Sequence, residues 1–266
     1  MSRLPARDAV EVWMKQARGV RHAGETPAPA ASVLMRTYAA AGGALFALSL
    51  GYFLYSYFQR YGRPVADGPM LQPVAVDVLL FSAFALHHSV FARTPMKAWI
   101  RRVAPRALER STYVWIASLM FLAACWLWQP VPGVVYRLDG TFRFVAYAAQ
   151  AAGLVVTVLG ARALDALELA GIRQVLHARS GTADASAPLS TTGVFGIVRH
   201  PLYFGWVLLV CGAPDMTATR AAFALVSTAY VAMAIPWEER GLVETFGAEY
   251  ERYRHRVRWR MIPFLY

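Results

Sequence analysis

The sequence has little charge and almost no cysteine. Only 16% of its 266 residues are charged, whereas 57% are hydrophobic, and the mean hydropathy is +0.37. This composition is too apolar for an ordinary soluble domain of this length, so we expect a polytopic membrane protein. The two cysteines, Cys125 and Cys211, lie inside apolar runs. A thiol there behaves as a small buried hydrophobe, and we expect neither a disulfide framework nor a metal site.

Acidic residues are also scarce. The 16 acidic residues face 27 basic ones, which gives a formal net charge of +11. Such an excess suits either nucleic acid or an anionic membrane face. The arginines cluster between apolar runs and not along one helix or an RNA-reading sheet, which favours membrane loops and argues against nucleic-acid binding.

The N-terminus lacks a short apolar core followed by a small-residue cleavage site. We therefore expect residues 1–36 to be retained as a basic, partly amphipathic cytosolic segment. No internal repeat is found, so residues 37–266 are expected to form a single membrane domain.

Several apolar runs approach the roughly 20 residues that a helix needs to cross a bilayer. Four of them are Thr37 to Phe58, Val74 to Ala92, Thr112 to Trp128 and Phe142 to Leu164. A further pair, Pro201 to Ala213 and Thr219 to Trp237, flanks the turn sequence A-P-D-M-T and predicts a helical hairpin. The expected fold is an all-α bundle of five or six transmembrane helices.

Two segments lie outside these runs. The stretch D-A-L-E-L-A-G-I-R-Q-V, which ends at Val175, is expected to continue the fourth helix, with a flexible loop after it. After Trp237, apolar residues recur at spacings of three or four through Leu242, Phe246, Tyr250 and Tyr253. This spacing predicts an amphipathic surface helix near the C-terminus.

The loop charges predict the orientation. Basic residues are concentrated in the N-terminal segment and in the loop after the second run, and both should be cytoplasmic. Six crossings return the C-terminus to the same side. Arg199, His200, Glu238 and Glu239 are then all at the cytoplasmic ends of membrane helices.

Ionisable groups held against a bilayer are costly unless they have partners, a ligand or an aqueous pocket. The four residues therefore predict a polar ligand site at the membrane surface. Arg199 and His200 can alternatively anchor the helix that begins at Pro201. Glu238 and Glu239 project about 100° apart on a helix, so one can face the pocket while the other meets Arg240 or solvent.

The motifs R-H-P-L-Y-F-G, E-E-R, F-G-x-x-Y-x-x-Y and the closing I-P resemble the isoprenylcysteine carboxyl methyltransferase superfamily. That superfamily includes the phospholipid methyltransferases and the nitrite and nitric oxide reductase U type of membrane protein. Further upstream, H-S-V-F-A-R, E-R-S-T-Y-V and D-A-L-E-L-A-G-I-R-Q-V are similar to one branch, the bacterial methanethiol S-methyltransferases. The resemblance spans most of residues 75–263 and implies a bacterial inner-membrane enzyme.

This resemblance implies S-adenosylmethionine as the cofactor, held by residues 165–266 at the cytoplasmic surface. A carboxylate can pair with its ammonium, a cation with its carboxylate, and Tyr203 or Trp237 can face its sulfonium or adenine. No G-x-G-x-x-G follows a strand, which disfavours a soluble Rossmann methyltransferase. The implied cofactor-binding residues are Gln174, Arg199, His200, Tyr203, Gly205, Glu238 and Glu239. Gln174 can instead cap the fourth helix, and Gly205 can instead serve helix packing.

The implied acceptor is a small thiol, with methanethiol giving dimethyl sulfide. Transfer to a thiol requires the thiolate, so His88 of H-S-V-F-A-R is a candidate base. His88 can alternatively be a hydrogen-bonded packing residue, and Arg93 can instead stabilise the thiolate. Relatives carry a tyrosine and a basic residue shortly before R-H-P, where this chain has Phe195 and Gly196. That difference concerns the acceptor side of the site.

Other functions remain open from the sequence. The acceptor can be a prenylcysteine carboxylate or a phospholipid amine. A sterol-type membrane reductase shares H-P-x-Y and the terminal I-P but binds NADPH, and E-E-R argues against it. A non-enzymatic accessory protein of the U type is the third alternative. In every case we expect membrane lipids as surroundings and no nucleic acid or metal.

Overall fold

The computed structural model describes residues 33–91, 106–177 and 188–266. These residues form nine α-helices and one two-stranded antiparallel sheet. The prediction of an all-α protein is therefore confirmed.

Five of the helices are long and apolar enough to cross a membrane. They are α1 (Val33–Tyr55, prolonged by a π-helical turn at Ser56–Arg60), α2 (Leu71–Phe91), α3 (Glu109–Leu127), α4 (Gly140–Ala163) and α8 (Ala218–Phe246). The remaining elements are β1 (Val134–Arg137), α5 (Ala166–Leu169), α6 (Arg173–His177), α7 (Pro201–Cys211), β2 (Asp215–Thr217) and α9 (Ala248–Arg256). The predicted apolar runs agree with α1 to α4 and α7 to within a few residues, whereas α8 continues past the predicted end at Trp237 to Phe246.

The region after α4 differs from the prediction. The fourth helix does not continue through D-A-L-E-L-A-G-I-R-Q-V, because Asp165 adopts a left-handed φ of 66°. Its carboxylate accepts a hydrogen bond of 3.0 Å from Leu167 N and so caps the short helix α5. The segment then folds into α5 and α6 instead of one long helix.

The turn of the C-terminal hairpin also contains more structure than expected. Residues Asp215–Thr217 pair with Val134–Arg137, so α7 and α8 are joined through a strand. Thr217 caps α8 by accepting a hydrogen bond of 3.1 Å from Arg220 N. The buried Arg220 guanidinium donates to the carbonyls of Tyr57 and Asp215, at 3.0 and 2.7 Å. At this end of the bundle, the helices are therefore held together by the hydrogen bonds between β1 and β2 and by those of Arg220.

Helices α4 and α7 approach each other closely through glycine. A Cβ placed on Gly205 would lie 2.6 Å from the carbonyl oxygen of Gly153, a distance that no real side chain adopts. Small residues at such a crossing let two backbones pack directly. The remaining core is mostly aromatic, with Phe53, Trp128 and Phe223 buried between α1, α3 and α8.

The predicted amphipathic surface helix is divided between two helices. Leu242 and Phe246 belong to the end of α8, whereas Tyr250 and Tyr253 belong to α9. Gly247, with a φ of 53°, separates them. The buried faces of Tyr250, Tyr253 and Val257 pack together and hold α9 and the C-terminal tail against the bundle.

Candidate functional site

Arg199 occupies the centre of a buried polar cluster. Its Nε donates to Glu239 Oε1 at 2.6 Å, and the two side chains are only 6% and 5% exposed. Its Nη1 donates to the carbonyls of Val257 and Arg258, at 2.7 and 2.8 Å. Arg199 thus joins the start of α7, the end of α8 and the chain after α9. This number of bonds compensates for the cost of burying the charge.

The backbone beside Arg199 is held in the same way. Arg199 N donates to the carbonyl of Trp259 at 2.9 Å, and His200 N donates to that of Arg260 at 2.8 Å. The tail therefore runs beside the residues that enter α7. His200 is the N-cap residue, and Pro201 begins the helix.

Glu239 has three basic neighbours. Besides Arg199, its Oε1 lies 3.4 Å from His200 Nε2, and its Oε2 lies 3.5 Å from Arg260 Nε. Its negative charge is therefore balanced within the protein.

The adjacent Glu238 has a different environment. Its side chain is 46% exposed, and Oε2 accepts a hydrogen bond of 2.8 Å from Tyr203 OH. His200 Nδ1 lies 3.6 Å from the same oxygen, and the His200 and Tyr203 rings stack at 5.5 Å. Among the described residues, no guanidinium forms an ion pair with Glu238. Of the two glutamates, Glu238 has the carboxylate that is accessible to a cationic ligand.

A cation-rich cleft of about 520 Å³ opens beside the cluster. The residues that line it are Arg199, Glu239, Arg254, His255, Arg258 and Arg260. Four guanidinium groups and one carboxylate line the cleft, and Arg254 is also paired with Glu251 at 2.8 Å, so an excess of positive charge remains that suits an anionic group.

Tyr253 of α9 is buried near the polar cluster, where it interacts electrostatically with Arg199 and Glu239. Burial raises the pKa of Tyr253 to about 12, so its phenol stays neutral at physiological pH. The hydroxyl donates a hydrogen bond of 2.8 Å to the carbonyl of Phe195. The segment that departs from the superfamily pattern is therefore held by a side chain of α9.

Of the predicted catalytic residues, His88 lies at the end of α2, where its Nδ1 is 2.7 Å from Tyr113 OH. Glu238 is close enough to interact electrostatically with both His88 and Tyr113. The structure thus brings His88 towards the exposed glutamate of the cluster. Arg93 lies outside the described residues.

Two predicted cofactor residues have other partners. Gln174 Oε1 accepts a hydrogen bond of 3.3 Å from Arg110 N at the start of α3. Gln174 therefore caps the start of α3, whereas the sequence suggested a cap on the fourth helix. Gly205 faces Gly153 at the α4–α7 crossing, which is the helix-packing alternative.

Several residues of the site were not found from the sequence. Tyr113 lies in E-R-S-T-Y-V, a motif that carried the resemblance without a role being assigned to it. Arg254, Arg258 and Arg260 look like ordinary charges of a surface helix and tail. Only the return of the tail past α7 shows that they share a cleft with Arg199.

Comparison with known proteins shows that the chain is similar to several bacterial proteins that carry the same name. The chain is 38% identical over 186 residues to Methanethiol S-methyltransferase 2 of Bradyrhizobium diazoefficiens, covering 70% of this chain and 72% of that protein. It is 36% identical over 197 residues to Methanethiol S-methyltransferase of Crocosphaera subtropica, covering 74% and 77%. A weaker similarity, 26% over 169 residues, covers 60% of this chain and 59% of Nurim of Xenopus laevis. No family model and no solved structure matches the chain.

Proposed function

We propose a reaction for this chain, which belongs to the family of the methanethiol S-methyltransferases. It transfers a methyl group from S-adenosylmethionine to methanethiol and releases dimethyl sulfide. The observation that carries the proposal is 38% identity over 70% of the chain to a protein of that name.

The residues of this end fit the proposed methyl donor. S-adenosylmethionine carries an ammonium, a carboxylate, a sulfonium and an adenine. Glu238 offers an exposed carboxylate for the ammonium, and the arginine cleft offers cations for the carboxylate. Tyr250 OH is buried without a hydrogen-bond partner among the described residues. A buried polar atom without a protein partner is expected to meet a ligand or a water molecule. Tyr250 also interacts electrostatically with Glu239 and Arg199.

We assign different roles to the two glutamates. Glu239 holds Arg199 and Arg260 in place, because its charge is already balanced by them. Glu238 binds the ammonium of the donor, with Tyr203 orienting its carboxylate. His200 supports both carboxylates from between them. Gln174 and Gly205 contribute through helix capping and packing.

The chemical step needs a thiolate in line with the sulfonium methyl group. The donor supplies an electrophilic methyl group when bound. His88 accepts the proton of methanethiol, and Arg93 stabilises the thiolate that forms. The electron pair of the S–H bond stays on sulfur and would form the new C–S bond to the methyl group of a bound donor, which would leave as the neutral thioether. Closely positioned reactants in a water-poor site supply most of the acceleration.

The enzyme is proposed to lie in the bacterial inner membrane. Five helices are long and apolar enough to cross it. Glu239 is 19 residues beyond Arg220 on α8, so the two are separated by roughly 28 Å of helix, close to the thickness of the hydrocarbon layer. With both termini cytoplasmic, the arginine cleft faces the compartment that holds the donor.

The direct test is headspace detection of dimethyl sulfide from membranes that contain the protein, given methanethiol and the donor. We expect production that depends on both substrates and that is lost in Glu238→Gln. Glu244→Gln is the matched control, since it changes an exposed glutamate of the same helix. Equilibrium binding of NADPH without binding of S-adenosylmethionine would overturn the proposal in favour of a reductase. Donor binding without turnover of any thiol, prenylcysteine or amine would indicate an accessory protein.

A further inference from the structure

Tyr113 contacts the proposed base directly. Its hydroxyl lies 2.7 Å from His88 Nδ1, and the two rings are 5.8 Å apart at 46°. On the same helix as His88, His87 stacks against the Tyr113 ring at 6.0 Å and 11°. Tyr113 is near the start of α3 and His88 near the end of α2, so this contact lies at the end of the bundle where Glu238 is found.

Among the residues that the structure describes, the groups around His88 come from four helices. Glu238 of α8 interacts electrostatically with both His88 and Tyr113. The other titratable or charged groups nearby are His87 of α2, Arg110 of α3 and Tyr203 of α7. Among the described residues, the hydrogen bonding of His88 is confined to Nδ1, and we therefore assign Nε2 to the substrate.

A neutral imidazole carries one proton, and the partner of one nitrogen decides which form is present. If Tyr113 donates to Nδ1, the proton of His88 is on Nε2, which then cannot accept another. If Tyr113 accepts from Nδ1–H, Nε2 is free to act as a base. The role of His88 as the base requires the second arrangement, in which the phenolic proton of Tyr113 points away from His88.

We propose that Tyr113 is a positioning residue: its phenol oxygen accepts a hydrogen bond from His88 Nδ1–H and leaves Nε2 to take the proton of methanethiol. This inference rests on the proposed function. In the step, the S–H bond breaks, the proton moves to Nε2, and the electron pair remains on sulfur for attack on the methyl carbon. The imidazolium that forms keeps its bond to Tyr113 and is stabilised by the nearby Glu238 charge.

The kinetic test uses Tyr113→Phe in the full chain in lipid nanodiscs. We expect little change in the binding of S-adenosylmethionine, because Glu238 keeps its carboxylate and its hydrogen bond from Tyr203. We expect kcat/KM for methanethiol to fall roughly 10-fold through loss of one hydrogen bond to the base. The acidic limb of the pH profile should move to lower pH, since the imidazolium loses an acceptor. Tyr136→Phe, in β1 at the other end of the bundle, is the matched control.

A double-substitution cycle separates positioning from simple packing. If Tyr113 acts through His88, Tyr113→Phe should have little further effect in a His88→Gln background. An unchanged pH profile in Tyr113→Phe, or equal losses in both backgrounds, would overturn the inference while wild-type production of dimethyl sulfide keeps the proposed function. Absence of that product from the wild type would instead defeat the function itself.

A measurement without any substitution completes the test. Nitrogen-15 NMR of histidine-labelled wild-type protein reports which imidazole nitrogen carries the proton. The signal of His88, assigned by its loss in His88→Gln, should show Nδ1 protonated and Nε2 bare. A proton on Nε2 in the neutral form would refute the arrangement, whatever the kinetics of the variants.

Discussion

Substituting the two adjacent glutamates one at a time should separate stability from donor binding. Glu239→Gln keeps the size of a buried side chain and removes a charge that Arg199, His200 and Arg260 surround. Glu238→Gln makes the same change on a side chain that is 46% exposed. The two positions are neighbours on one helix, so each variant is a matched control for the other.

The expected loss of stability differs between them. Breaking a buried ion pair costs about 3–5 kcal/mol, because the remaining charge stays desolvated. In Glu239→Gln we expect about 3 kcal/mol, the lower end, since Arg199 keeps its bonds to the carbonyls of Val257 and Arg258. Glu238→Gln weakens one partly exposed hydrogen bond from Tyr203 and should cost about 1 kcal/mol or less.

For donor binding, Glu238→Gln should have the larger effect of the two when each variant is measured in its folded state. A hydrogen bond to a charged group contributes about 1.5–3 kcal/mol. Loss of the proposed bond between Glu238 and the ammonium should therefore weaken the affinity for S-adenosylmethionine by roughly 10- to 100-fold. Glu239→Gln, well below its unfolding temperature, should weaken that affinity less.

Two measurements on purified protein in detergent micelles are sufficient. Thermal unfolding followed by the fluorescence of the eight tryptophans gives the stability of each variant. Equilibrium dialysis with labelled donor gives its affinity. The assignment fails if Glu238→Gln binds the donor as the wild type does, or if Glu239→Gln unfolds at the wild-type temperature.

Two further predictions concern the scaffold. Gly205→Ala should destabilise the protein by about 1–3 kcal/mol, because a Cβ would lie 2.6 Å from the Gly153 carbonyl oxygen. Gly241→Ala is the control, since a Cβ there meets nothing within 4 Å, and equal unfolding temperatures of the two variants would contradict this packing. The fully buried Asp77 accepts a hydrogen bond of 2.7 Å from Gln129 N. Asp77→Leu should therefore lower the unfolding temperature more than Asp77→Asn, which keeps an acceptor. Equal effects of the two substitutions would assign the stability to side-chain volume instead.

The sequence predicted the helices well because their signals are local. An apolar run of about 20 residues identifies a membrane helix without reference to the rest of the chain. The break after α4 was missed because it depends on one residue, Asp165, whose left-handed φ is not visible in the pattern of apolar residues. The strand at Asp215–Thr217 was missed because its partner is almost 80 residues earlier in the sequence, at Val134–Arg137.

The polar cluster was only partly predictable for a related reason. Charged residues at the ends of apolar helices are conspicuous, so Arg199, His200, Glu238 and Glu239 could be selected from the sequence. Which carboxylate is balanced depends on Arg260, whose position follows from the path of the tail after α9. No helical or strand periodicity describes that path, since the residues after Val257 form no regular element.

The path of the tail also gives a physical reason for the spacing of the C-terminal motifs. R-H-P and E-E-R are separated by tens of residues, yet both meet the tail that leads to the closing I-P in the same cluster. The backbone of Arg199 and His200 donates to the carbonyls of Trp259 and Arg260, so the tail provides acceptors beside the entry to α7. At a membrane surface these groups would otherwise be costly to expose to lipid. The two motifs and the tail therefore form a single structural unit, and a ligand in the arginine cleft would contact both the tail and Arg199 at the entry to α7.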